Sequence, residues 1–276
     1  MKVYPIAGLK FDHRPGEITE QFPTVQANID LNTMLPAYAP QKLDRAGTIA
    51  VVGYGPSLLR TYEELRDYRD IWTVSGAHDF LLKRDITPTC HTDVDWRPHK
   101  AGFMKRPNAA VQYRMANTVS PKYIDKLRGY SLSMFQPVGA DTEKYLRVDP
   151  QYTQIPMPGD VSMLAVQAAV MEGWKDIHVF GVDGSHDFNG VIRLPSDRTD
   201  KAHAGPHDGV RSSIVYVSDT DFNLYETSLH LIQACDAFVR MLDALPEEVS
   251  VTVVSDGLLP AWMAMHEKRR MNDGKV

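Results

Sequence analysis

Short apolar runs alternate with helical stretches from Gly47 almost to the carboxyl end, and this alternation restricts the chain more than any other feature. Thr48–Gly53, Ile71–Ser75, Thr89–Val94, Ala109–Arg114, Ser131–Gln136, Asp176–Val182 and Val249–Val254 read as strands. Leu58–Tyr68, Asp79–Lys83, Pro121–Leu127, Val161–Glu172, Asp221–Leu242 and Pro260–Lys268 read as helices. Strands joined through helices run parallel, because the crossover returns the chain to the same end of the sheet. The expected fold is α/β: a Rossmann-like, mostly parallel sheet with helices on both faces and right-handed crossovers. Val161–Glu172 is apolar almost all round and is expected to be buried.

The regular pattern defines a domain over residues 47–267. Residues 1–46 carry Pro5, Pro15, Pro23, Pro36 and Pro40 without a clear period. They read as an N-terminal arm with few regular elements, packed on the domain or on a second copy in a homo-oligomer. Residues 184–217 form one long lid-like loop rich in His, Asp, Gly and Ser. Residues 268–276 read as a frayed polar tail. A net charge of −5 gives no overall basic field to recruit nucleic acid or an anionic membrane. Cys90 and Cys235 are far apart, and neither belongs to a CxxC pair. A disulfide framework or structural zinc is therefore not expected, and a reducing cytoplasm fits. No apolar run approaches the roughly 20 residues that span a bilayer, and Met1–Asp12 lacks a signal-peptide layout.

Ligands of parallel sheets sit beyond the carboxyl ends of the strands, where strand order reverses. Polar residues follow the strands in suitable places. Gly53-Tyr54-Gly55-Pro56-Ser57 follows one strand and opens a helix. Unpaired amides and the dipole at a helix start attract anions, and glycine lets a phosphate approach the backbone. This predicts a nucleotide or another phosphorylated small molecule as ligand; the plain alternative is a turn without one. The string is not a G-x-G-x-x-G fingerprint, since residue 58 is Leu, nor a Walker A loop. Ser75 and His78 follow the next strand, and Gly159, Asp160 and Ser162 open the apolar helix. Asp183 and His186 follow the Asp176–Val182 strand.

His91, Asp93 and Asp95 alternate, so within a strand they would face one side. Asp93 and Asp95 suit Mg²⁺ held against a diphosphate, or Asp95 suits a base on an acceptor hydroxyl; a solvated strand end is the alternative. Arg97, His99 and Lys100 fit either a phosphate or a plain basic turn. In the long loop, His186, His203 and His207 match no zinc spacing. His203 and His207 are candidates for general acid or base work on lid closure. No Gly-x-Ser-x-Gly elbow is present.

Four blocks give the chain a family likeness. They are Gly53-Tyr54-Gly55-Pro56-Ser57-Leu58, Pro88 to Asp95, Gly159-Asp160-Val161-Ser162, and Gly173 to Asp183. In that order the chain resembles the MptE-like 6-hydroxymethylpterin diphosphokinase family over about residues 48–260. The blocks are also similar to those of family-42 sialyltransferases. Phage-encoded relatives look similar around His91-x-Asp93-x-Asp95-x-Arg97-Pro98-His99-Lys100. The resemblance implies transfer chemistry on a phosphate-linked donor, with Gly53, Gly55, Pro56, Ser57, Ser75, Gly159, Asp160, Ser162 and Asp183 around it. Many relatives carry an Asn where this chain has Ser75. A sialyltransferase-like catalytic His would fall near His203 and His207. The leading expectation is glycosyl transfer from a nucleotide sugar. The alternatives are ATP-dependent diphosphate transfer to a pterin alcohol, and a non-catalytic virion-associated or nucleotide-binding protein.

Overall fold

The structure is a computed structural model and describes residues 3–5, 22–139, 146–186, 213–216 and 224–273. In chain order its first elements are β1 (Val3–Pro5), α1 (Phe22–Leu31), β2 (Thr48–Val52), α2 (Leu58–Thr61), β3 (Asp70–Val74) and α3 (Ala77–Leu82). Next come β4 (Cys90–Asp93), β5 (Gln112–Ala116), α4 (Pro121–Leu127), β6 (Leu132–Val138), β7 (Gln154–Pro156) and α5 (Val161–Met171). The last are β8 (Asp176–Phe180), β9 (Ser213–Tyr216), β10 (Leu224–Thr227), α6 (Leu229–Asp243), β11 (Ser250–Val254) and α7 (Leu258–Asp273).

Eight strands form one sheet in the order β11-β8-β2-β3-β4-β5-β6-β7, and every neighbouring pair is parallel. From β2 the chain builds outward through β3 to β7, then returns to place β8 on the other flank of β2. The order therefore reverses between β2 and β8. Alternate residues of β2 feed two cores, as side chains of a strand covered on both faces must. Ile49 and Val51 pack in the core that includes Leu164, Ala165 and Ala168 of α5. Ala50 and Val52 pack in the core with Leu58 of α2 and Leu81 of α3.

Several elements depart from the sequence expectation. The segment Leu58–Tyr68 forms one α-turn and then a 3₁₀ stretch, Tyr62–Asp67. Asp221–Leu242 is not one helix. Leu224–Thr227 pairs antiparallel with β9 instead, and α6 begins after Ser228, whose hydroxyl accepts from the Leu231 amide. The N-terminal arm contains α1, with Phe22, Val25 and Ile29 buried at helical spacing. β1 of that arm pairs parallel with β9, which falls in the segment expected to be loop. Among the described residues, no helix is long and apolar enough to cross a membrane.

Candidate functional site

At the reversal point, the glycine turn after β2 is fastened to the turn after β8. The Gly53 amide donates to the Phe180 carbonyl at 2.7 Å, and the Gly55 amide to the Gly181 carbonyl at 2.8 Å. Asp183 accepts from the Ser57 amide at 2.9 Å through Oδ2 and from the Ser255 hydroxyl through Oδ1. A side chain on Gly53 would place its Cβ 2.5 Å from the Gly181 oxygen. On Gly55 it would meet Asp183 Oδ2 and lie 2.8 Å from that same carbonyl. Close approach of two loops thus requires both glycines. Leu58 and Leu59 donate to Gly55 and Pro56, so the amides that open α2 are paired within the chain. Burial pushes the Asp183 carboxyl above its ordinary value, although donors from Ser255 and Ser57 pull it back.

The second helix start follows the same logic. Asp160 accepts from the Ser162 amide at 2.9 Å, the Met163 amide at 3.1 Å and the Ser162 hydroxyl at 2.5 Å. It is the N-cap of α5. Both helix starts that the sequence offers to an anion therefore hold a carboxylate of the chain.

Beside them, at the ends of β3 and β4, lies the charged group of the crevice. Ser75 has φ +53°, a left-handed conformation that side chains other than Gly, Asn and Asp seldom adopt. Its hydroxyl lies 3.4 Å from Lys100 Nζ. Lys100 is only 4% exposed, and its ammonium also lies 3.4 Å from Asp95 Oδ2 and 4.8 Å from the Phe103 ring. It is not part of a solvated basic turn. Arg97 donates to Asp95 through Nε at 2.8 Å, through its second guanidinium nitrogen at 2.5 Å and through its amide at 3.0 Å. Burial alone would raise the Asp95 carboxyl, but Arg97 and Lys100 outweigh it and hold Asp95 below its usual range. Asp93 is raised by burial, against the pull of Lys100. Its Oδ1 accepts from the amides of Val94 and Asp95, a local turn that ends β4 at Asp93 and takes Asp95 out of the strand alternation.

Among the described residues, no three His, Cys, Asp or Glu side chains are grouped to hold a metal ion. Asp95 presents both oxygens to Arg97. His91 and His78 lie beneath the crevice as buried supports. His91 bonds Thr73 at 3.1 Å and Tyr123 at 3.2 Å; His78 bonds Asp79 at 2.8 Å and Tyr113 at 3.1 Å. Burial, then the neighbouring His78, drives His91 far down, which keeps it neutral. His186 sits 3.7 Å from Glu226. His203 and His207 lie outside the described residues.

One brace of the loops after β4 and β5 was missed in the sequence. Asn28 of α1 donates to the carbonyls of Trp96, at 3.1 Å, and Thr118, at 2.9 Å. Asn32, just past the helix end, donates to Asn117 and Val119, each at 2.9 Å. The Asn-x₃-Asn spacing beside Phe22, Val25 and Ile29 was the available signal, since residues four apart share a helix face.

The glycine turn, Ser75, Lys100 with Asp95, Asp160 with Ser162, and Asp183 all occupy the carboxyl edge of one parallel sheet around its reversal point. Such an arrangement defines a Rossmann-like α/β protein, a fold in which this edge is where ligands are bound. The sequence model of the MptE-like family, described as 6-hydroxymethylpterin diphosphokinase MptE-like, matches residues 25–187, and the chain belongs to that family. The match starts inside α1, earlier than residue 48, where the motif blocks begin. The fold is shared with the MAf glycosyltransferase from Magnetospirillum magneticum AMB-1, at TM-score 0.60 and 15% identity over 86% of this chain. The chain spans only 37% of that protein. A mammalian sialyltransferase in complex with Gal-beta-1-3GalNAc-ortho-nitrophenol aligns at TM-score 0.46 and 9% identity, over 88% of this chain and 86% of that one. No curated protein matches.

Proposed function

We propose that the carboxyl-edge crevice is the active site of a transferase that uses a nucleotide-activated donor, and that the group transferred is a glycosyl unit from a nucleotide sugar. Membership of a family named for a diphosphate-transferring enzyme supports the transferase class. The observation that carries the reading is the burial of Lys100 between Ser75 and Asp95 at the ends of β3 and β4. A nearly dehydrated, fixed cation beside the reversal point suits the negative charge that grows on a departing nucleotide phosphate. Asp95, itself braced by Arg97, holds that cation in place. The turn from Gly53 to Ser57, locked by Asp183, forms the floor against which the donor lies.

Asp95 serves in this reading as the partner of two cations, because a carboxyl held low is a poor proton acceptor. His203 and His207 are the residues to which this reading gives the proton of the acceptor hydroxyl. Glycosyl transfer asks for stabilisation of one leaving group. The two cations of the Asp95 group can meet that demand more readily than the heavier charge of an ATP-dependent diphosphate transfer.

The family description favours a second reading, diphosphate transfer from ATP to a pterin alcohol. Both are tested together. Purified protein is incubated with a panel of CMP-, UDP- and GDP-sugars and, separately, with ATP, Mg²⁺ and 6-hydroxymethylpterin, and nucleotide release is followed by chromatography. Release of CMP, UDP or GDP from one sugar donor supports the first reading, and AMP formed with pterin diphosphate supports the second. Binding without release in every arm would leave a nucleotide-binding protein without chemistry.

A further inference from the structure

From Arg97 to Arg128 the chain carries eight Lys and Arg against a single carboxylate, Asp125, although its overall net charge is −5. Two of the eight are taken up inside the fold: Lys100 in the crevice, and Arg114 on the buried Glu172 at 2.8 Å. Lys105, Arg106, Lys122, Lys126 and Arg128 are exposed. Arg128 donates to Asp125 at 2.8 Å, which uses the one acid of the segment. Among the described residues, no carboxylate pairs with Arg106, Lys122 or Lys126.

Packing gathers these charges on one side of the molecule. Lys122 and Lys126 are one turn apart and share a face of α4. The Lys126 ammonium donates to the Met104 carbonyl at 3.1 Å, which sets α4 beside the loop that carries Lys105 and Arg106. The Lys105 amide donates at 2.8 Å to Asp79 in the first turn of α3, the helix that starts just after Ser75. The patch therefore borders the carboxyl-edge crevice. The turn Pro98–Gly102 carries Lys100 inward and runs on to Lys105 and Arg106.

What the patch lacks narrows its partner. None of the large exposed apolar side chains among the described residues falls between Arg97 and Arg128, so nothing there would insert into a bilayer. No Phe, Tyr or Trp of the segment is exposed, so no open ring is offered for bases to stack on. Unpaired ammonium and guanidinium groups remain, and these suit carboxylates spaced along a flexible polar chain.

We infer that this surface binds a linear acidic glycan, with carboxylates on successive sugar units, and leads one end of it to the crevice as acceptor. The acceptor role rests on the glycosyl-transfer reading; the binding itself does not.

A fluorescently labelled oligogalacturonate is the probe. Its anisotropy, titrated with the full chain, should saturate at low salt, and binding should weaken steeply as salt rises. Arg106→Gln/Lys122→Gln/Lys126→Gln should weaken it about tenfold or more, whereas Lys42→Gln/Lys268→Gln, which removes exposed charges elsewhere, should not. The inference is overturned if the probe does not saturate at low salt, or if the triple variant binds it as the wild type does. It is equally overturned if an oligonucleotide of equal charge, or vesicles containing an anionic lipid, bind more tightly through the same three residues. Absence of glycan binding with nucleotide release intact would sink this inference alone. Glycan binding without nucleotide release from any donor would sink the transfer reading, and the acceptor role with it.

Discussion

Gly55 sits at the joint between two loops, and any side chain there would press on Asp183 and the Gly181 carbonyl. Gly55→Ala should therefore cost about 2 kcal/mol, read as a lower urea midpoint. Asp183 gives a pH signature of defined sign. Its folded carboxyl is raised above the ordinary 3.8, so the folded state holds its proton more tightly than the unfolded chain does. The contribution of Asp183 is most favourable below the unfolded value and is lost as pH rises through the raised folded value. Urea unfolding of Asp183→Asn across that window should lack this part of the wild-type decline. At the crevice, Lys100→Met should slow nucleotide release about a hundredfold, the scale expected for loss of one preorganised charge, with the circular dichroism unchanged. None of the three geometries is local. The type of residue at 55, 100 and 183 was plain in the sequence. That Lys100 is buried, that Ser75 is left-handed and that Asp183 caps the turn after a distant strand follow only from packing between segments far apart in the chain.

α1 shows how an element can build a site without entering it. Asn28 and Asn32 tie it to the loops after β4 and β5, the first of which carries Asp95 and Arg97. Asn28→Ala leaves the Trp96 and Thr118 carbonyls without that donor and should cost roughly 1–3 kcal/mol. Hydrogen exchange should then speed up at residues 94–97 and stay unchanged in β8 and β11. The central strand β2 was legible because Ile49–Val52 is a run of apolar residues buried on both faces. β7 and β10, at three and four residues, are too short to show a period of two. The helix over Phe22–Leu31 was hidden by the prolines around it, although Pro23 in its first turn is compatible with a helix start.

Across the whole molecule, one sheet separates two polar edges. The carboxyl edge gathers the glycine turn, the Lys100 group and two carboxylate-capped helix starts. The amino edge, where Glu64, Asp67 and Asp70 line a cavity, left no motif in the sequence, because its residues come from three separate approaches to β2, β3 and β8. Both thiols lie inside this body, and burial pushes Cys90 up to about 11 and Cys235 higher still. Their reaction with a disulfide reagent should track global unfolding and be negligible in the native protein. The central claim is that the reversal point between β2 and β8, with the adjoining ends of β3 and β4, grips an activated nucleotide. Crystals soaked in a mixture of nucleotide sugars test it most directly. The account predicts electron density for a donor lying over Gly53–Ser57 with its phosphate at Lys100. Density for a nucleotide bound at any other place, with this crevice filled only by solvent, would contradict it.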